Sequence, residues 1–333
     1  MPRAKITGTG MYVPERRVTN KDLEALMDTT DEWIRQRSGI VERRWIREGE
    51  LPADLAEKAS RQALERAGLE PGDLDCIVLA TLSAQADFPG TSFFLQERLG
   101  GTTPCFDLRA QCSGFIFGLS VAKSFVTSGQ YRRVLLVGAE VHSTGIDVST
   151  EGRDVAVLFG DGAGAVVVEA NDDPDDRSDV LAVRLHAEGK YATKLWTEAP
   201  GSGHFPVRMT QELIDRKAHF PRMEGRFVFK HAVSRMPEVL QEALDAAGVK
   251  RDDVDLFLFH QANLRINEFV AGALEIPAAK VRNNIDRYGN CSAASIPILL
   301  AEAEREGALA RGKLVALTGF GSGFSWASAI VRW

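Results

Sequence analysis

The chain has 333 residues, of which 44% are hydrophobic and 26% charged, and its formal net charge is −6. This composition is typical of a soluble globular protein with one large α/β unit or two lobes. The acidic balance and the lack of a long Lys/Arg block give no support for nucleic-acid binding. No apolar run approaches membrane-spanning length, so we expect no stable membrane insertion.

Four cysteines without regular pairing indicate a reducing compartment rather than a disulfide scaffold. The N-terminal run MPRAKITG lacks the apolar region of a signal peptide and opens directly into a strand. We therefore expect a cytoplasmic protein. The sequence has neither a CxxC pair nor an HExxH motif, so we expect no metal site.

Two early segments carry helix and strand signals. The run TNKDL at residues 19–23 is a helix-entry signal, which we interpret as a plain cap. Residues 63–79 indicate a helix, a glycine stop at Gly68, a short turn and a buried strand.

Cys112 stands between a strand-like segment and a helix of small residues, in the run QCSGF at residues 111–115. The first-turn N–H groups and the helix dipole would stabilise a thiolate there and lower the pKa of the thiol. A lone buried cysteine is more often a small hydrophobic residue. We interpret the other three cysteines in that way: Cys76, Cys105 and Cys291.

The glycine-rich run FGDGAGA at residues 159–165 resembles a phosphate-binding loop in its composition. An apolar strand follows it at residues 166–169, whereas a phosphate-binding loop leads into a helix. A tight turn or a close approach of two backbones is therefore favoured over cofactor binding.

Residues 188–224 mix Gly, Pro, Trp and charged residues and show no sustained periodicity. We interpret this segment as an irregular excursion that covers a pocket rather than as a domain.

An internal repeat sets the expected architecture. Residues 243–259 repeat the helix, glycine stop, turn and strand of residues 63–79. Helices of small residues follow in both copies, and apolar strands come next, at 133–138 and 313–318. The repeat predicts two similar α/β halves, residues 1–170 and 171–333, in a five-layer α/β/α/β/α arrangement with the site between them.

Two polar residues of the second half complete a candidate site. His260 follows an apolar strand, as Cys112 does, and Asn290 precedes a helix of small residues. In α/β proteins such strand ends carry functional groups. A Cys, a His and an Asn from three distant places are what a covalent thiol enzyme needs, although each alone has a plain structural explanation.

The run GFGSGFSW at residues 319–326 lies between two apolar strands. On its own it predicts a hairpin. Beside a reactive cysteine, its glycines let backbone N–H groups face the site, so it is a candidate oxyanion-binding loop.

These motifs together resemble β-ketoacyl-acyl-carrier-protein synthase III, the initiating condensing enzyme of type II fatty-acid synthesis within the thiolase superfamily. The resemblance covers nearly the whole chain. The condensing enzymes of elongation carry a Cys-His-His pattern, so His260 with Asn290 favours the synthase III branch. Arg153 and seven runs carry the resemblance: residues 28–34, 37–43, 111–115, 158–165, 260–265, 286–295 and 319–326.

The resemblance implies a homodimer of thiolase-fold subunits with no metal or redox cofactor, which takes coenzyme A thioesters as substrates. Cys112 would carry the acyl group. His260 and Asn290 would bind the malonyl thioester carbonyl and assist decarboxylation. The backbone N–H groups of Cys112 and Ser322 would form the oxyanion hole.

The resemblance also implies the substrate contacts. Trp33 and Arg153 would sandwich the adenine of coenzyme A, with Thr29 and Arg37 nearby. Phe88 would line the acyl pocket of the neighbouring subunit.

Lys230 and Arg265 would meet an acidic acyl carrier protein that brings the malonyl thioester. The chain departs from the family pattern at Ser322, where the family often has Gly, and in the longer excursion at residues 188–224. The basic residues often found after Arg265 are also absent.

The implied activity is a decarboxylative condensation of an acyl-CoA primer, held on Cys112, with malonyl thioester to give a 3-ketoacyl product. The alternatives are a related acyltransferase, or a condensing enzyme of ketone or secondary metabolism that uses longer acyl thioesters. A cysteine hydrolase and an inactive binding protein are further alternatives. Release of carbon dioxide from a malonyl thioester separates condensation from acyl transfer without decarboxylation, and an absence of thioester hydrolysis would exclude the hydrolase.

Overall fold

The computed structural model describes residues 2–333. The strands are β1 (Arg3–Tyr12), β2 (Arg17–Thr19), β3 (Glu42–Arg44), β4 (Cys76–Ala80), β5 (Cys105–Leu108), β6 (Arg133–Glu140), β7 (Gly162–Asn171), β8 (Asp179–Ala187), β9 (Leu195–Trp196), β10 (Arg222–Met223), β11 (Leu256–Phe259), β12 (Val281–Arg282), β13 (Leu314–Gly321) and β14 (Ser325–Arg332). The helices are α1 (Asn20–Glu24), α2 (Asp31–Ser38), α3 (Pro52–Ala67), α4 (Thr91–Leu99), α5 (Gly114–Thr127), α6 (Arg153–Ala156), α7 (Gln211–Asp215), α8 (Gly225–Ala247), α9 (Leu264–Ala273), α10 (Ile285–Tyr288) and α11 (Ser295–Arg305).

Two five-stranded sheets share one topology. The first has the order β1-β7-β6-β4-β5, and the second, read from the matching edge, has the order β8-β14-β13-β11-β12. In each sheet three neighbouring strands pair in parallel. Two further strands complete one side of the sheet, each through antiparallel pairing with its neighbour. The predicted fold class, two duplicated thiolase-like halves, is confirmed.

The strand pairing also corrects the alignment of the two halves. The ends of the matched strands, Leu79 and Phe259, pair with Val137 and Thr318 respectively. The strand pairing thus makes Val137 equivalent to Thr318, whereas the sequence comparison aligns Val137 with Leu317. The sequence alignment of these two strands is therefore wrong by one residue.

Helices separate the two sheets and cover both outer faces. Helices α3 and α4 pack on the outer face of the first sheet. Helix α8 packs on the outer face of the second sheet, and α9 packs against α8. Helices α5 and α11 lie between the sheets, where Phe115, Leu119, Ile296 and Leu299 are almost fully buried. Burial of each such side chain stabilises the fold by about 1.5–3 kcal/mol, so the middle layer joins the two halves into one core.

The predicted helix boundaries are confirmed at three positions. Thr19 caps α1, and Asp22 completes the reciprocal pair of hydrogen bonds. Gly68 and Gly248 end α3 and α8 with φ angles of 68° and 64°. Residues with a side chain rarely adopt this left-handed backbone conformation, and glycine adopts it at no steric cost.

The excursion at residues 188–224 contains a 3₁₀ turn (Gly189–Lys194), the two-stranded β9–β10 ribbon and α7, with loops between them. The boundary predicted at residue 170 falls near the end of β7. Among residues 2–333, no helix is both long and apolar enough to cross a bilayer.

Candidate active site

The two middle-layer helices begin with the same backbone turn. A 3₁₀ turn, Gln111–Ser113, leads into α5, and a second, Ser292–Ala294, leads into α11. The first residue of each turn has a positive φ angle, 46° at Gln111 and 44° at Ser292. Non-glycine residues seldom occupy this region. Cys112 therefore corresponds to Ala293 in the second half.

Hydrogen-bond donors surround the thiol of Cys112. The Ser292 hydroxyl donates to Cys112 Sγ at 3.6 Å. The backbone N–H groups of Cys112 and Ser322 also point at the sulfur. Gly321 lies so close that a Cβ atom there would stand 2.8 Å from Cys112 Cβ. The hairpin between β13 and β14 therefore brings a backbone donor to the sulfur because it carries glycine at this position.

Burial raises the pKa of the Cys112 thiol to about 11, although Ser292 and the two N–H groups favour the thiolate. The prediction of a lowered pKa is therefore wrong for the free protein. Removal of the charged sulfur from water outweighs the nearby donors. Burial raises the pKa of the remaining thiols as well: Cys76, Cys105 and Cys291. Cys112 differs from them in having three donors, whereas Cys76 and Cys105 have one each.

His260 follows β11, and its Nδ1 lies 2.6 Å from the hydroxyl oxygen of Ser295. The same oxygen accepts the backbone N–H of Gln261 at 3.4 Å. Nδ1 is the only acceptor that the Ser295 hydroxyl contacts among residues 2–333, so the hydroxyl donates to Nδ1 and the ring proton lies on Nε2. Nε2 is buried and has no hydrogen-bond partner among residues 2–333. Burial lowers the pKa of His260 to about 3, so its imidazole is neutral at physiological pH.

Asn290 is held by its backbone and by one end of its side chain. Its N–H donates to the Leu158 carbonyl at 2.8 Å, and its own carbonyl accepts the Gly160 N–H at 3.1 Å. Its Oδ1 accepts the Ser292 N–H at 2.8 Å. Nδ2 makes no hydrogen bond within the part of the chain that the structure describes. The amide N–H groups of Asn290 are therefore available to a ligand.

The glycine-rich run at residues 159–165 supports Asn290 through a close approach of two backbones. A Cβ atom at Gly160 would collide with the Tyr288 carbonyl. One at Gly164 would lie 2.5 Å from the backbone nitrogen of Ile298. The predicted close approach of two backbones is confirmed.

Cys112, His260 and Asn290 line one cavity of about 840 Å³. Trp33, Arg37 and Arg265 line it too. Leu195 and Met223 of the β9–β10 ribbon form another part of the wall, as do the following residues: Phe159, Phe229, Met236, Phe320 and Gly321. The structure thus brings three distant parts of the sequence to one cavity, and the excursion forms part of its wall.

Aromatic and cationic side chains meet beside the cavity. The guanidinium carbons of Arg37 and Arg153 lie 4.7 and 5.3 Å from the ring centre of Trp33. Arg153 also donates to the Asp28 carbonyl. The hydroxyl of Thr29 is buried and has no partner among residues 2–333. The four residues expected to contact coenzyme A therefore lie close together in the chain's N-terminal half.

The remaining predicted contacts lie on the surface. Phe88 is 83% exposed, and its neighbour Asp87 forms a 2.6 Å ion pair with Arg208 of the excursion. Lys230 on α8 and Arg265 on α9 are both exposed. Only Arg265 lines the cavity itself, and Lys230 lies beside a separate shallow depression.

Glu140 is a polar residue of the site that the sequence reasoning did not single out. It is fully buried and accepts hydrogen bonds from the hydroxyls of Thr81 and Ser83, and from the backbone N–H groups of Leu82, Ser83 and Ala293. Burial raises the pKa of Glu140. This carboxylate joins the first half to the turn that begins α11.

Ser292, Ser295 and His142 were also missed as separate functional residues. Glu140 and His142 follow the apolar run of β6, and a polar residue after a buried parallel strand is a signal that could have identified both. No sequence signal identifies Ser295, because its contact with His260 joins residues that are 35 positions apart.

Comparison with known proteins assigns the family. Residues 106–189 match the model of 3-oxoacyl-[acyl-carrier-protein] synthase III, and residues 244–333 match the model of its C-terminal part. A β-ketoacyl-[acyl-carrier-protein] synthase III of Roseiflexus sp. (strain RS-1) is 44% identical over 331 residues, which cover 99% of this chain and 98% of that protein.

A synthase of the same name from Aquifex aeolicus (strain VF5) is 45% identical over 330 residues, which cover 99% of both chains. The crystal structure of 3-oxoacyl-[acyl-carrier-protein] synthase III from Aquifex aeolicus VF5 has a TM-score of 0.90 at 44% identity, covering 99% of this chain and 100% of that one. The similarity extends over whole chains in both sequence and fold. The protein belongs to the β-ketoacyl-[acyl-carrier-protein] synthase III family.

Proposed function

We propose that this protein condenses an acyl group carried on Cys112 with a malonyl thioester, with loss of carbon dioxide, in the synthesis of fatty acids or related compounds. Condensing activity follows from membership of the family. The roles of individual residues are our proposal. The observation that carries it is the cavity in which Cys112, its two backbone donors, His260 and Asn290 meet.

In the first half-reaction, Cys112 takes the acyl group from an acyl-CoA. The sulfur forms a bond to the thioester carbonyl carbon, the bond to the coenzyme A sulfur breaks, and the thiol proton leaves with coenzyme A. The N–H groups of Cys112 and Ser322 stabilise the oxyanion of the tetrahedral intermediate. One thioester replaces another, so this exchange costs little free energy.

In the second half-reaction, the malonyl thioester loses carbon dioxide and becomes an enolate. The enolate oxygen accepts hydrogen bonds from Nε2–H of His260 and from Nδ2–H of Asn290. Both donors are neutral, so neither has to remove a proton. The enolate carbon then attacks the acyl carbonyl on Cys112, a carbon–carbon bond forms, and the Cys112 thiolate leaves. The two half-reactions predict ping-pong kinetics.

Contacts around the cavity support a path for the two substrates. The adenine of coenzyme A lies at Trp33 and Arg153, with Thr29 and Arg37 beside it. These groups offer an aromatic face, two guanidinium groups and an unpaired hydroxyl. The chemistry needs no metal or redox cofactor, because each bond change is a transfer between thioesters or a decarboxylation.

Further parts of the proposal concern partners and location. Exposed Lys230 and Arg265 attract an acidic acyl carrier protein. The exposed ring of Phe88 packs into the acyl pocket of a second subunit, so the protein is a homodimer. Four free cysteines support a cytoplasmic location.

Mass spectrometry of the intact protein tests the first half-reaction. The protein is incubated with acyl-CoAs of increasing chain length, and the acyl mass retained on Cys112 is measured. The wild-type protein is expected to retain an acyl group, and the Cys112→Ala variant to retain none. An adduct on the variant, at any of the other three cysteines, would contradict the assignment of the nucleophile.

The His260→Ala and Asn290→Ala variants test the second half-reaction. Each is expected to slow carbon dioxide release from malonyl thioester by about two to three decades, the typical cost of one lost oxyanion donor. Acyl loading should fall modestly. Equal losses in the two steps would instead favour an acyltransferase or hydrolase in which His260 acts as a general base on Cys112.

A further inference from the structure

His142 is a buried histidine that the proposed mechanism does not use. It follows the end of β6, and only 7% of its surface is exposed. Its Nε2 atom is buried and unpaired, and neither ring nitrogen is hydrogen-bonded to another residue within 2–333. A buried polar nitrogen without a partner is costly, and most proteins avoid it.

The ring of His142 lies next to the catalytic cavity. Its centre is 4.6 Å from the ring centre of Phe159, which lines that cavity. The backbone N–H of His142 donates to Asp161 Oδ1 at 2.7 Å, which fixes the position of the residue. His142 therefore lies against the cavity wall at Phe159, and its backbone hydrogen bond holds it in this position.

The residue before His142 contacts the loop that leads to Phe88. The N–H of the preceding residue, Val141, donates to the Ser83 hydroxyl at 2.9 Å. The loop from residue 81 to residue 88 ends at the exposed ring of Phe88. The chain at residues 141–142 thus connects the wall at Phe159 to the loop whose Phe88 we assign to the acyl pocket of a second subunit.

The protonation state of His142 limits which groups it can recognise. Burial lowers the pKa of His142 to about 3, so the ring is neutral and carries one N–H donor and one lone pair. A neutral imidazole is matched by a hydroxyl group, which can donate or accept. It has no positive charge to pair with a carboxylate, and a hydrocarbon chain would leave the imidazole without a hydrogen-bond partner.

We propose that His142 determines primer specificity by forming a hydrogen bond to a hydroxyl group on the acyl chain, so that hydroxyacyl thioesters load faster than saturated ones. This inference rests on the proposed role of Cys112 as the acyl carrier. In this proposal the acyl chain extends from Cys112 along the wall at Phe159, and its hydroxyl group reaches the His142 ring that packs against Phe159. Sites that hydrogen-bond a substrate hydroxyl discriminate strongly against analogues that lack it, because their own polar groups are then left unpaired.

The test is the rate at which Cys112 becomes acylated, followed by mass spectrometry of the intact protein. The primers are acetyl-CoA, butyryl-CoA, 3-hydroxybutyryl-CoA and 4-hydroxybutyryl-CoA. At least one hydroxylated primer is expected to load about tenfold faster than butyryl-CoA, which matches the loss of one satisfied hydrogen bond. His142→Phe keeps an aromatic ring against Phe159 but has no nitrogen, so it should remove this preference.

Two further variants make the result specific. His142→Gln retains a donor and an acceptor and should keep part of the preference. His186→Leu changes a histidine on β8 that pairs with Glu242 on the surface, so the preference should stay as in the wild type. If His142→Phe does not load acetyl-CoA, His142→Leu takes its place in the comparison.

The proposal is overturned if the wild type loads butyryl-CoA as fast as both hydroxylated primers, or if the variants without a ring nitrogen keep the preference. It is also overturned if those variants change the sedimentation coefficient, since His142 would then act in subunit contact. Loading of acetyl-CoA separates this result from the proposed function. A wild-type protein that loads no acyl-CoA at all contradicts the role of Cys112 and not that of His142 alone.

Discussion

Ser295 Oγ lies 2.6 Å from His260 Nδ1, and this contact determines which nitrogen of the imidazole faces the substrate. Ser295 is the first residue of α11, and His260 follows β11. The Ser295 hydroxyl contacts no other acceptor among residues 2–333, so it donates its proton to Nδ1. The geometry makes His260 a hydrogen-bond donor toward the cavity rather than a base.

Replacement of Ser295 by Ala should therefore affect decarboxylation and leave acyl loading nearly unchanged. We expect carbon dioxide release from malonyl thioester to fall about tenfold, the upper range for one hydrogen bond. Ser295→Thr keeps the hydroxyl and should restore most of the rate. Ser328→Ala is the matched control, because Ser328 is also buried but bonds to Thr318. Equal loss of loading and decarboxylation in Ser295→Ala would show a general structural role.

The raised pKa of Cys112 predicts a pH dependence of its reactivity. The neutral thiol is the dominant form below a pKa of about 11, and the thiolate is the nucleophile. Each unit of rising pH should therefore increase the rate of alkylation by iodoacetamide about tenfold between pH 7 and pH 10. The rate is measured from the modified mass of Cys112 in the free protein. A plateau below pH 8 would mean that the thiol pKa is lowered instead.

Arg153→Ala should weaken the binding of coenzyme A thioesters without changing the chemistry. Loss of a cation–π partner of Trp33 should raise the KM for acetyl-CoA about 2- to 30-fold, while kcat stays within twofold. The control substrate is acetyl-N-acetylcysteamine, which has the thioester but no adenine. A similar rise in KM for both substrates would place Arg153 outside the adenine site.

Phe88→Asp tests the proposed homodimer. An 83% exposed phenylalanine on a loop is costly to leave in water, so we expect it to be covered by a second subunit. The variant should sediment as a monomer and load acyl groups poorly, since each pocket would lose the ring of its partner. Phe269→Asp is the control, because Phe269 is 52% exposed on α9 and lies on another element. A wild-type protein that sediments as a fully active monomer would refute the dimer.

Much of the architecture could be predicted from the sequence because it depends on local patterns. Buried strands, glycine helix stops at Gly68 and Gly248 and the internal repeat are all visible in short windows. The motifs around Cys112, His260 and Asn290 identified the residues that the fold brings to one cavity. Cys112 and His260 each follow a strand end, which is where α/β proteins place functional groups.

The remaining features depend on distances across the fold. The pKa of Cys112 follows from complete burial, which a sequence pattern does not measure and which outweighed the nearby donors. The contact of Ser295 with His260 needs the packing of α11 against β11. The one-residue error in the strand match came from counting along the sequence, whereas hydrogen-bond register decides which residues correspond.

The duplicated turns show how the two halves differ at the position of Cys112. By the corrected register Glu140 corresponds to Gly321, just as Ala293 corresponds to Cys112. At Gly321 the missing side chain leaves room for Cys112, whose Cβ would lie only 2.8 Å from a Cβ atom there. In the mirrored position the Glu140 carboxylate fills that space and accepts the Ala293 N–H at 3.4 Å. The second half therefore contains a copy of the turn at Cys112 in which the buried Glu140 side chain closes the equivalent position.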